Sequence, residues 1–441
     1  MSKVHLVPEQ APARDPNEPR YWDPRDLEAE MRRQLEVCHG CRMCVGYCGT
    51  FPDLFARIDR DIEQRGATGA ELLDDQAFAR ATELCWQCKL CYVKCPYTAD
   101  ENHEWLMDVP RLLAREKAQR ARRDGVTLQD QVLGEPQLLG QMTAGPMARV
   151  ANFVNASRLV RKGLSAVAGI SEHFPIPPFG ETSLPRWIAK HEPLAEAGTR
   201  GTVALFATCM ADYNFPHIGA SAVRVLEKNG WSVVRPEQTC CGMPNLDGGD
   251  VDAARAKAKA NVAALVREVD QGRKVVTLQP TCGYTIRKEW PDLLGTDEAR
   301  RVAAATVDVM ELLEQQRRDK TLSRAFDKGL GKVAYHASCH LRAQKIGYPA
   351  VRVLNVLPDT EVEVVEQCSA VDGTWGMKTQ HYESGKRYAQ KLVSGIARVE
   401  PARVVTDCAL SGQRILGETG RPPLHPIEAL AEAYGIAPDV R

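Results

Sequence analysis

The sequence predicts a mixed α+β and α/β chain, in which an α-helical N-terminal domain precedes two copies of a parallel α/β unit. Two cysteine-dense runs lie between positions 38 and 95. After Gly201, short apolar strand segments alternate with helical segments, as they do in parallel sheets. This alternation occurs twice, with matching letters in both copies, so the second half of the chain is predicted to be an internal duplication.

Length, charge and cysteine content limit the class of protein. A chain of 441 residues is long enough for about two or three domains. Lys plus Arg equal Asp plus Glu at 57 each, which argues against a nucleic-acid partner. Fifteen cysteines behind a polar N-terminus indicate a reducing, cytoplasmic location. No apolar run approaches the length of a membrane span, so we expect any membrane contact to be peripheral.

The first part of the chain predicts an arm and a helical domain. Residues 1–24 are rich in Pro, Asp, Glu and Arg and are interpreted as an N-terminal arm. A helix is predicted over residues 26–37, and residues 51–84 carry apolar side chains at helical spacing. We therefore predict that residues 25–110 form a domain of the α-helical type rather than the compact β type.

Both cysteine runs in this domain have the spacing C-x2-C-x2-C-x3-C, which is typical of cubane iron–sulfur clusters. In two-cluster ferredoxins the fourth cysteine of each run binds the other cluster. We therefore predict two [4Fe-4S] clusters and two crossed ligand sets. Set A is Cys38, Cys41, Cys44 and Cys95, and set B is Cys48, Cys85, Cys88 and Cys91.

Zinc is the alternative metal for paired cysteines, but zinc sites usually take two ligands from each of two separate segments. Four cysteines in one short run, repeated, favour iron and sulfur. One departure is visible, because Gly49 follows Cys48 where a proline is usual, whereas Pro96 follows Cys95. The departure affects the local turn and leaves the number of ligands unchanged.

Residues 111–200 carry no cysteine and are predicted to be a helical linker. Residues 111–123 predict a basic helix with a solvated charged face. Residues 147–170 interleave apolar and basic side chains, a pattern that fits a membrane interface, a partner subunit or the protein's own core equally well. Residues 175–185 are rich in proline and connect this segment to the duplicated half.

The duplicated half is predicted to contain repeat 1, residues 201–330, and repeat 2, residues 331–441. Its predicted strands are residues 203–207, 232–234, 275–278, 333–336, 361–365 and 404–406. Each strand leads to cysteine, and sites in parallel sheets form at the carboxyl ends of strands. The cysteines concerned are Cys209, Cys240, Cys241, Cys282, Cys339, Cys368 and Cys408. The alternative, that they are ordinary buried apolar cysteines, would not explain this common position.

Four motifs carry a resemblance to a known family: YHASCHLR at 335–342, GTWGMK at 373–378, VVTDC at 404–408 and PRW at 185–187. Together with the two-run domain and the duplicated cysteine-rich units, they resemble the CCG-domain iron–sulfur oxidoreductases, which are related to heterodisulfide reductase. The resemblance covers nearly the whole chain. It implies a subunit that accepts electrons from a flavoprotein dehydrogenase and passes them to membrane quinone, with the amphipathic segment held at the bilayer.

The repeats depart from the pattern of that family, which has a second thiol in each of its last two cysteine motifs. Repeat 1 keeps four thiols, Cys209, Cys240, Cys241 and Cys282, which we call set C and which suffice for one further cluster. Repeat 2 has Ser369 and Ser411 at two of the family's cysteine positions.

Repeat 2 therefore keeps three thiols, Cys339, Cys368 and Cys408, which we call set D. A His or Asp could complete the set, a cluster could leave one iron open, or the repeat could be empty. The side chains close in sequence are His336, His340, His381 and Asp407, and none of them is assigned as a ligand.

These observations predict an electron-transfer subunit of an oxidoreductase complex, with a flavoprotein as its partner and membrane quinone as the acceptor. No Gly-x-Gly-x-x-Gly segment is present in the sequence, so no flavin or nicotinamide is expected on this chain. The alternative is a stand-alone enzyme like heterodisulfide reductase, which would reduce a disulfide or another small substrate at the cysteine-rich cluster. The substrate of the partner dehydrogenase is not encoded in this sequence.

Overall fold

The N-terminal domain is helical, as predicted. The computed structural model describes residues 6–371, 373–437 and 440. The first helices are α1 Pro24–Cys41, α2 Thr50–Arg65, α3 Asp75–Leu84, α4 Leu90–Lys94 and α5 Val109–Asp124. Asp23 caps α1 and Asp74 caps α3, because each side chain accepts a hydrogen bond from a first-turn backbone N–H. The helical prediction for residues 51–84 is therefore confirmed.

Helix α5 lies in the interior, and the expectation of a solvated charged face is wrong for part of it. Arg115 is 2% exposed, and its guanidinium donates to the backbone oxygen of Tyr21 at 2.7 Å and pairs with Asp26 at 2.8 Å. Arg111 reaches repeat 1, where it donates to the backbone oxygen of Lys288 at 2.6 Å. The basic side chains of this helix therefore join segments of the chain together.

The N-terminal arm also contacts its own chain. Ala13 and Tyr21 are buried in the same apolar cluster as Trp290 and Leu293 of repeat 1. The side chain of Asn17 donates to the backbone oxygen of Leu293 at 3.3 Å. The described part of the arm thus crosses from α1 to repeat 1.

Five short helices follow α5 and carry the chain to the duplicated half. They are α6 Leu128–Leu133, α7 Pro136–Thr143, α8 Ala148–Ala156, α9 Arg158–Ala168 and α10 Leu184–Ile188. The break between α8 and α9 falls at Ser157, whose backbone is extended. Residues 175–183, which lie in the predicted proline-rich connection, contain no helix or strand.

Repeat 1 contains a parallel four-stranded sheet with the order β2-β1-β3-β4. Its strands are β1 Gly201–Phe206, β2 Trp231–Val234, β3 Val275–Thr277 and β4 Thr306–Asp308. Its helices are α11 Pro216–Lys228, α12 Met243–Gly248, α13 Val251–Asp270, α14 Pro280–Tyr284, α15 Trp290–Leu294, α16 Asp297–Ala305 and α17 Val309–Arg318. Strand β4 was not predicted from the sequence, because its Asp308 also caps the next helix and interrupts the apolar pattern.

Repeat 2 contains a parallel three-stranded sheet with the order β6-β5-β7. Its strands are β5 Gly331–His336, β6 Thr360–Val365 and β7 Arg403–Thr406. Its helices are α18 Cys339–Ala343, α19 Pro349–Leu354, α20 Tyr382–Val399, α21 Ala409–Thr419 and α22 Pro426–Ala433. The central strands β1 and β5 occupy equivalent positions in the two sheets, which agrees with the predicted duplication.

One apolar core joins the two repeats. Leu205 and Val276 of the first sheet share a buried cluster with Val333 and Val405 of the second. The N-terminal domain has its own buried cluster, and Ala370 and Trp375 of repeat 2 pack into it. The cysteine-bearing loops of repeat 2 therefore face the cysteine-bearing loops of the N-terminal domain.

Candidate iron–sulfur ligand sets

The structure brings the four thiols of set A together. Helix α1 ends at Cys41, and Arg42 has a positive φ of 52° that turns the chain toward Cys44. The set A cysteines line one cavity of about 470 Å³, part of it open to solvent, together with apolar side chains such as Phe51. Burial and the neighbouring thiols Cys95 and Cys41 raise the pKa of Cys44 to about 12.

The thiols of set B also converge, around the loop from Cys85 to Cys91. Gln87 and Lys89 flank Cys88 with positive φ values of 53° and 62°, and the Gln87 N–H lies 3.4 Å from Cys85 Sγ. Burial raises the pKa of Cys91 well above its usual value, and the nearby thiols Cys88, Cys85, Cys48 and Cys44 add to the effect.

Sets A and B are direct neighbours. Cys91 of set B lines the set A cavity, and Cys44 Sγ lies 3.9 Å from the Cys91 backbone oxygen. Cys95 of the second run lies close to Cys38, Cys41 and Cys44 of the first run. Cys48 of the first run lies close enough to Cys91 to contribute to its raised pKa. Cysteines of the two runs therefore lie side by side, and the assignment of the crossed ligand sets stays a prediction.

Set C lies at the carboxyl ends of the strands of repeat 1. Cys240 and Cys241 are 2% and 4% exposed, and Cys282 lies in the same buried cluster. Cys209 and Cys241 donate hydrogen bonds to the Cys240 sulfur, which lowers the pKa of Cys240 and raises their own. Because Cys241 also contacts Cys282, each thiol of this set lies beside at least one other.

Sequence spacing gave no sign of the residues that surround set C. Gln137 of α7 accepts hydrogen bonds from the Cys240 N–H at 2.5 Å and from the Thr239 hydroxyl at 2.7 Å. Trp290 donates from its indole to the backbone oxygen of Cys241 at 3.0 Å. Segments of π-helix, Met210–Asn214 and Thr285–Glu289, follow two of the cysteines, and such segments are frequent at functional sites.

The three thiols of set D line one cavity of about 430 Å³, part of it open to solvent. Ser369 and Ser411, which stand where the family has cysteines, line it too, and their hydroxyls are 2.8 Å apart. Cys88 of set B belongs to the same lining. The set D cavity is therefore shared between repeat 2 and the N-terminal domain.

The histidines close to set D are engaged in other contacts. His336 Nε2 donates to the backbone oxygen of Gln367 at 3.1 Å, and its Nδ1 accepts from the Thr406 hydroxyl at 2.9 Å. Burial lowers the pKa of His336 to about 4, so the ring is neutral at neutral pH. His381 stacks on Trp375 with ring centroids 4.4 Å apart. Asp407 accepts a short hydrogen bond from the Tyr335 hydroxyl.

The donor sets fit iron–sulfur clusters chemically. Within the described ranges, no group of three or more His, Cys, Asp or Glu side chains meets the requirement for a single metal ion. A cubane makes a different demand, because each thiolate binds its own iron atom. Sets A, B and C each supply four thiols, which are buried or half-buried among largely apolar side chains. Thiolates so close together are costly to bury unless positive charge compensates them, and iron would provide that charge.

A third cavity, of about 660 Å³ and partly open to solvent, lies between the N-terminal domain, the arm and repeat 1. Its lining includes the cations Lys89 and Arg111 and the acids Asp247 and Glu289. Burial raises the pKa of Asp247 to about 6, although Lys89 and Lys117 oppose the shift. Charged groups of both signs therefore line this contact between the N-terminal domain and repeat 1.

An exposed apolar surface covers helices α7 to α9, and we call it the linker surface. Phe153 and Leu159 are 80% and 82% exposed, although large apolar side chains are usually buried. Its other members are Leu138, Leu139, Met142, Met147, Val150, Val154 and Val167. Packing on the protein's own core, one of the three interpretations of residues 147–170, is therefore wrong for the exposed side chains. Among the residues described, no helix is both long and apolar enough to cross a bilayer.

Comparisons with known proteins agree with this architecture. The model of the cysteine-rich (CCG) domain matches residues 203–287 and 333–410. The model of the citrate utilization protein B Fer4-like domain matches residues 31–123. Both copies of the predicted duplication and the N-terminal domain are thus matched separately.

Three relatives illustrate the similarity. One subunit of the anaerobic glycerol-3-phosphate dehydrogenase of Escherichia coli K12 is 28% identical over 320 residues, which are 70% of this chain and 77% of the relative. The glycolate oxidase iron–sulfur subunit of the same strain is 24% identical over 93% of this chain and 96% of its own. Lactate utilization protein A of Geobacillus kaustophilus is 30% identical over 40% of this chain and 74% of its own. The matched domains and relatives show that the chain belongs to the CCG-domain family of iron–sulfur oxidoreductases.

Proposed function

We propose that this chain is an iron–sulfur electron-transfer subunit, which relays electrons between a flavoprotein dehydrogenase and a membrane quinone pool. The observation that carries the proposal is the convergence of three complete sets of four thiols, of which two are in direct contact. The relatives in glycerol-3-phosphate and glycolate metabolism are named as subunits, which supports a partner for this chain as well.

In this proposal sets A and B each hold a [4Fe-4S] cluster and set C holds a further iron–sulfur cluster. When bound, such clusters supply one-electron redox chemistry at potentials that the protein tunes through burial and hydrogen bonds to sulfur. The chain's own contribution includes the Gln87 N–H directed at Cys85 Sγ and the burial of Cys240 and Cys241. No side chain is required to move a proton in a relay of this kind.

Set D remains a candidate ligand set with three thiols. Its cavity adjoins Cys88, so a group bound there would lie beside set B. The Ala370 N–H lies 3.2 Å from Cys368 Sγ, just as the Gln87 N–H lies 3.4 Å from Cys85 Sγ in set B. The alternative of a stand-alone reductase like heterodisulfide reductase is disfavoured, because Ser369 and Ser411 replace two thiols of the family pattern.

We also propose that the linker surface docks on the cytoplasmic face of an anionic membrane. The argument is charge complementarity, since Arg158 and Lys162 are exposed among its apolar side chains, whereas the exposed Arg149 is paired with Glu181 at 2.9 Å. Arg161 is held inside, where it donates to the backbone oxygens of Ser171 and Glu172. An amphipathic segment with cations beside exposed apolar residues is suited to lie in the headgroup region of a bilayer.

The relay is tested by iron and acid-labile sulfide per chain in anaerobically purified protein, with EPR during a redox titration. We expect about twelve iron atoms for sets A, B and C, and about sixteen if set D is also filled. The double variant Cys240→Ala/Cys241→Ala is expected to lose about four of them. A wild type with about eight iron atoms, unchanged in the variant, would leave both repeats empty and contradict the relay.

A further inference from the structure

The side chain of His340 connects two cysteine loops that are far apart in sequence. Its Nδ1 lies 3.0 Å from the Thr281 hydroxyl, and its Nε2 lies 3.3 Å from the backbone oxygen of Gln87. Thr281 immediately precedes Cys282 of set C, and Gln87 immediately precedes Cys88 of set B. Two hydrogen bonds through one imidazole therefore link the Thr281 side chain, next to a set C cysteine, with the Gln87 backbone, next to a set B cysteine.

The direction of both hydrogen bonds follows from the partners. A backbone carbonyl can only accept, so Nε2 of His340 carries the hydrogen and donates to Gln87. Nδ1 of the neutral ring is then the acceptor, and the Thr281 hydroxyl donates to it. The neutral ring satisfies both partners in this one tautomer.

Neighbouring groups hold the ring in place. His340 is 2% exposed, and the Tyr284 ring stacks on it with centroids 5.1 Å apart and an interplanar angle of 18°. The Lys89 ammonium lies 5.9 Å from the centre of that Tyr284 ring and donates to the Gln87 side chain at 2.6 Å. The bridge is thus buried and supported from both of the segments that it joins.

We propose that His340 is a positioning residue whose ring provides a hydrogen-bonded route for electrons between set B and set C. The inference rests on the proposed relay and adds the path inside the molecule. Electronic coupling falls off less steeply along covalent and hydrogen bonds than across a gap between side chains. The route consists of covalent bonds from Cys88 to the Gln87 carbonyl, the ring with its two hydrogen bonds, and covalent bonds from Thr281 to Cys282.

The step needs no chemistry at the ring. One electron leaves the reduced group on one ligand set and arrives at the oxidised group on the other. No covalent bond forms or breaks, and His340 keeps its single ring proton on Nε2 throughout. The only reductant and oxidant involved are the two groups that sets B and C would bind.

Variants at Thr281 separate the route from a merely structural role. Thr281→Val removes the donor to His340 at nearly constant volume, whereas Thr281→Ser keeps the hydroxyl and is the matched control. Neither change touches the Thr281 backbone oxygen, which accepts a hydrogen bond from the Thr285 hydroxyl at 2.7 Å. His340→Phe keeps a ring to stack on Tyr284 and removes both hydrogen bonds.

The experiment uses the full-length protein, anaerobically purified with its clusters. Flash photoreduction delivers an electron to the protein, and rapid-freeze EPR follows its transfer between set B and set C. The EPR signal of set C is identified as the one that is lost in Cys240→Ala/Cys241→Ala. We expect severalfold slower transfer in Thr281→Val and His340→Phe, and a rate close to wild type in Thr281→Ser. Iron content and midpoint potentials are expected to stay unchanged in all three variants.

Two results would overturn the inference in distinguishable ways. If the wild type transfers the electron and Thr281→Val and His340→Phe do so equally fast, the relay stands and the His340 route is wrong. If no electron reaches set C in the wild type although its iron is present, the proposed relay itself fails, and the route fails with it.

Discussion

Buried titratable side chains make the stability of individual sites in this protein depend on pH. Glu428 illustrates the case, far from the cysteine sets, in the first turn of α22. One of its carboxylate oxygens accepts from the His425 N–H at 2.8 Å, which completes a capping box. Burial raises its pKa from 4.5 to about 7. The folded protein therefore keeps a proton that the unfolded chain releases at lower pH.

The substitution Glu428→Gln is expected to change the pH dependence of stability. Because the folded pKa is raised, the stabilising contribution of wild-type Glu428 is fully present below pH 4.5 and is lost as the pH rises through about 7. Gln keeps an acceptor for His425 and does not titrate. Relative to this variant, the wild type should lose roughly 2 kcal/mol of unfolding free energy between about pH 5.5 and pH 8.

Thermal unfolding followed by circular dichroism across that pH range measures the difference. Glu361→Gln, a change at an exposed position of β6, is the control and should follow the wild type. Parallel curves for the wild type and Glu428→Gln would show that the carboxyl group titrates normally in the folded protein.

At the scale of residues, the sequence could predict candidate ligands but not the side chains around them. Sets A and B come from two runs with the same fixed cysteine spacing, so the spacing alone is enough to propose them as ligand sets. Gln137 lies about a hundred residues before Cys240, and His340 meets Gln87 across 253 positions. Such contacts depend on how domains dock, and no local pattern encodes them.

At the scale of elements, helices α8 and α9 present the least expected feature. Their alternation of apolar and basic residues was visible in the sequence, but three interpretations fitted it equally. Exposure excludes packing on the protein's own core, because Phe153 and Leu159 are 80% and 82% exposed, and it leaves the membrane and the partner subunit as occupants. Strand β4, by contrast, is too short and too close to a helix cap for its letters to predict a strand.

The double variant Phe153→Glu/Leu159→Glu is expected to weaken binding to anionic vesicles by more than about tenfold, because each buried apolar side chain contributes roughly 1.5–3 kcal/mol. Flotation with vesicles of phosphatidylglycerol and phosphatidylcholine measures the binding. Arg158→Gln/Lys162→Gln should weaken binding to these vesicles and leave binding to pure phosphatidylcholine unchanged, since its effect is electrostatic.

Ile62→Glu is the matched control for this experiment, because Ile62 is an exposed apolar residue on α2, outside the linker surface. It should bind vesicles like the wild type. If the wild type fails to float with anionic vesicles, the membrane proposal is wrong and a partner protein becomes the occupant of the linker surface.

At the scale of the whole molecule, the N-terminal domain is held between the two repeats. Arg111 reaches repeat 1 through the backbone oxygen of Lys288, and Trp375 of repeat 2 packs into the N-terminal core. The duplication and the helical domain were predictable from periodicity and cysteine spacing. Which repeat faces which ligand set was not, because spacing along the chain carries no information about docking between domains.

The contact between repeat 2 and the N-terminal domain includes an aromatic cluster beside set B. Trp375 lies with its ring centroid 4.9 Å from that of Trp86, and its indole donates to the backbone oxygen of Glu83 at 2.8 Å. Trp86 is 1% exposed and lies next to Cys85 in sequence. Both tryptophans and Cys85 line one cavity of about 430 Å³. The cluster therefore covers one side of set B.

Trp375→Ala is expected to destabilise the protein by about 3–5 kcal/mol, the usual cost of removing a large buried aromatic side chain. It should also open a path for solvent to Cys85, so iron should be lost faster to a chelator added to the native protein. Trp375→Phe keeps a ring against Trp86 and loses the hydrogen bond to Glu83, so its iron release should stay close to that of the wild type. Equal release rates in Trp375→Ala and the wild type would mean that the N-terminal domain protects set B without repeat 2.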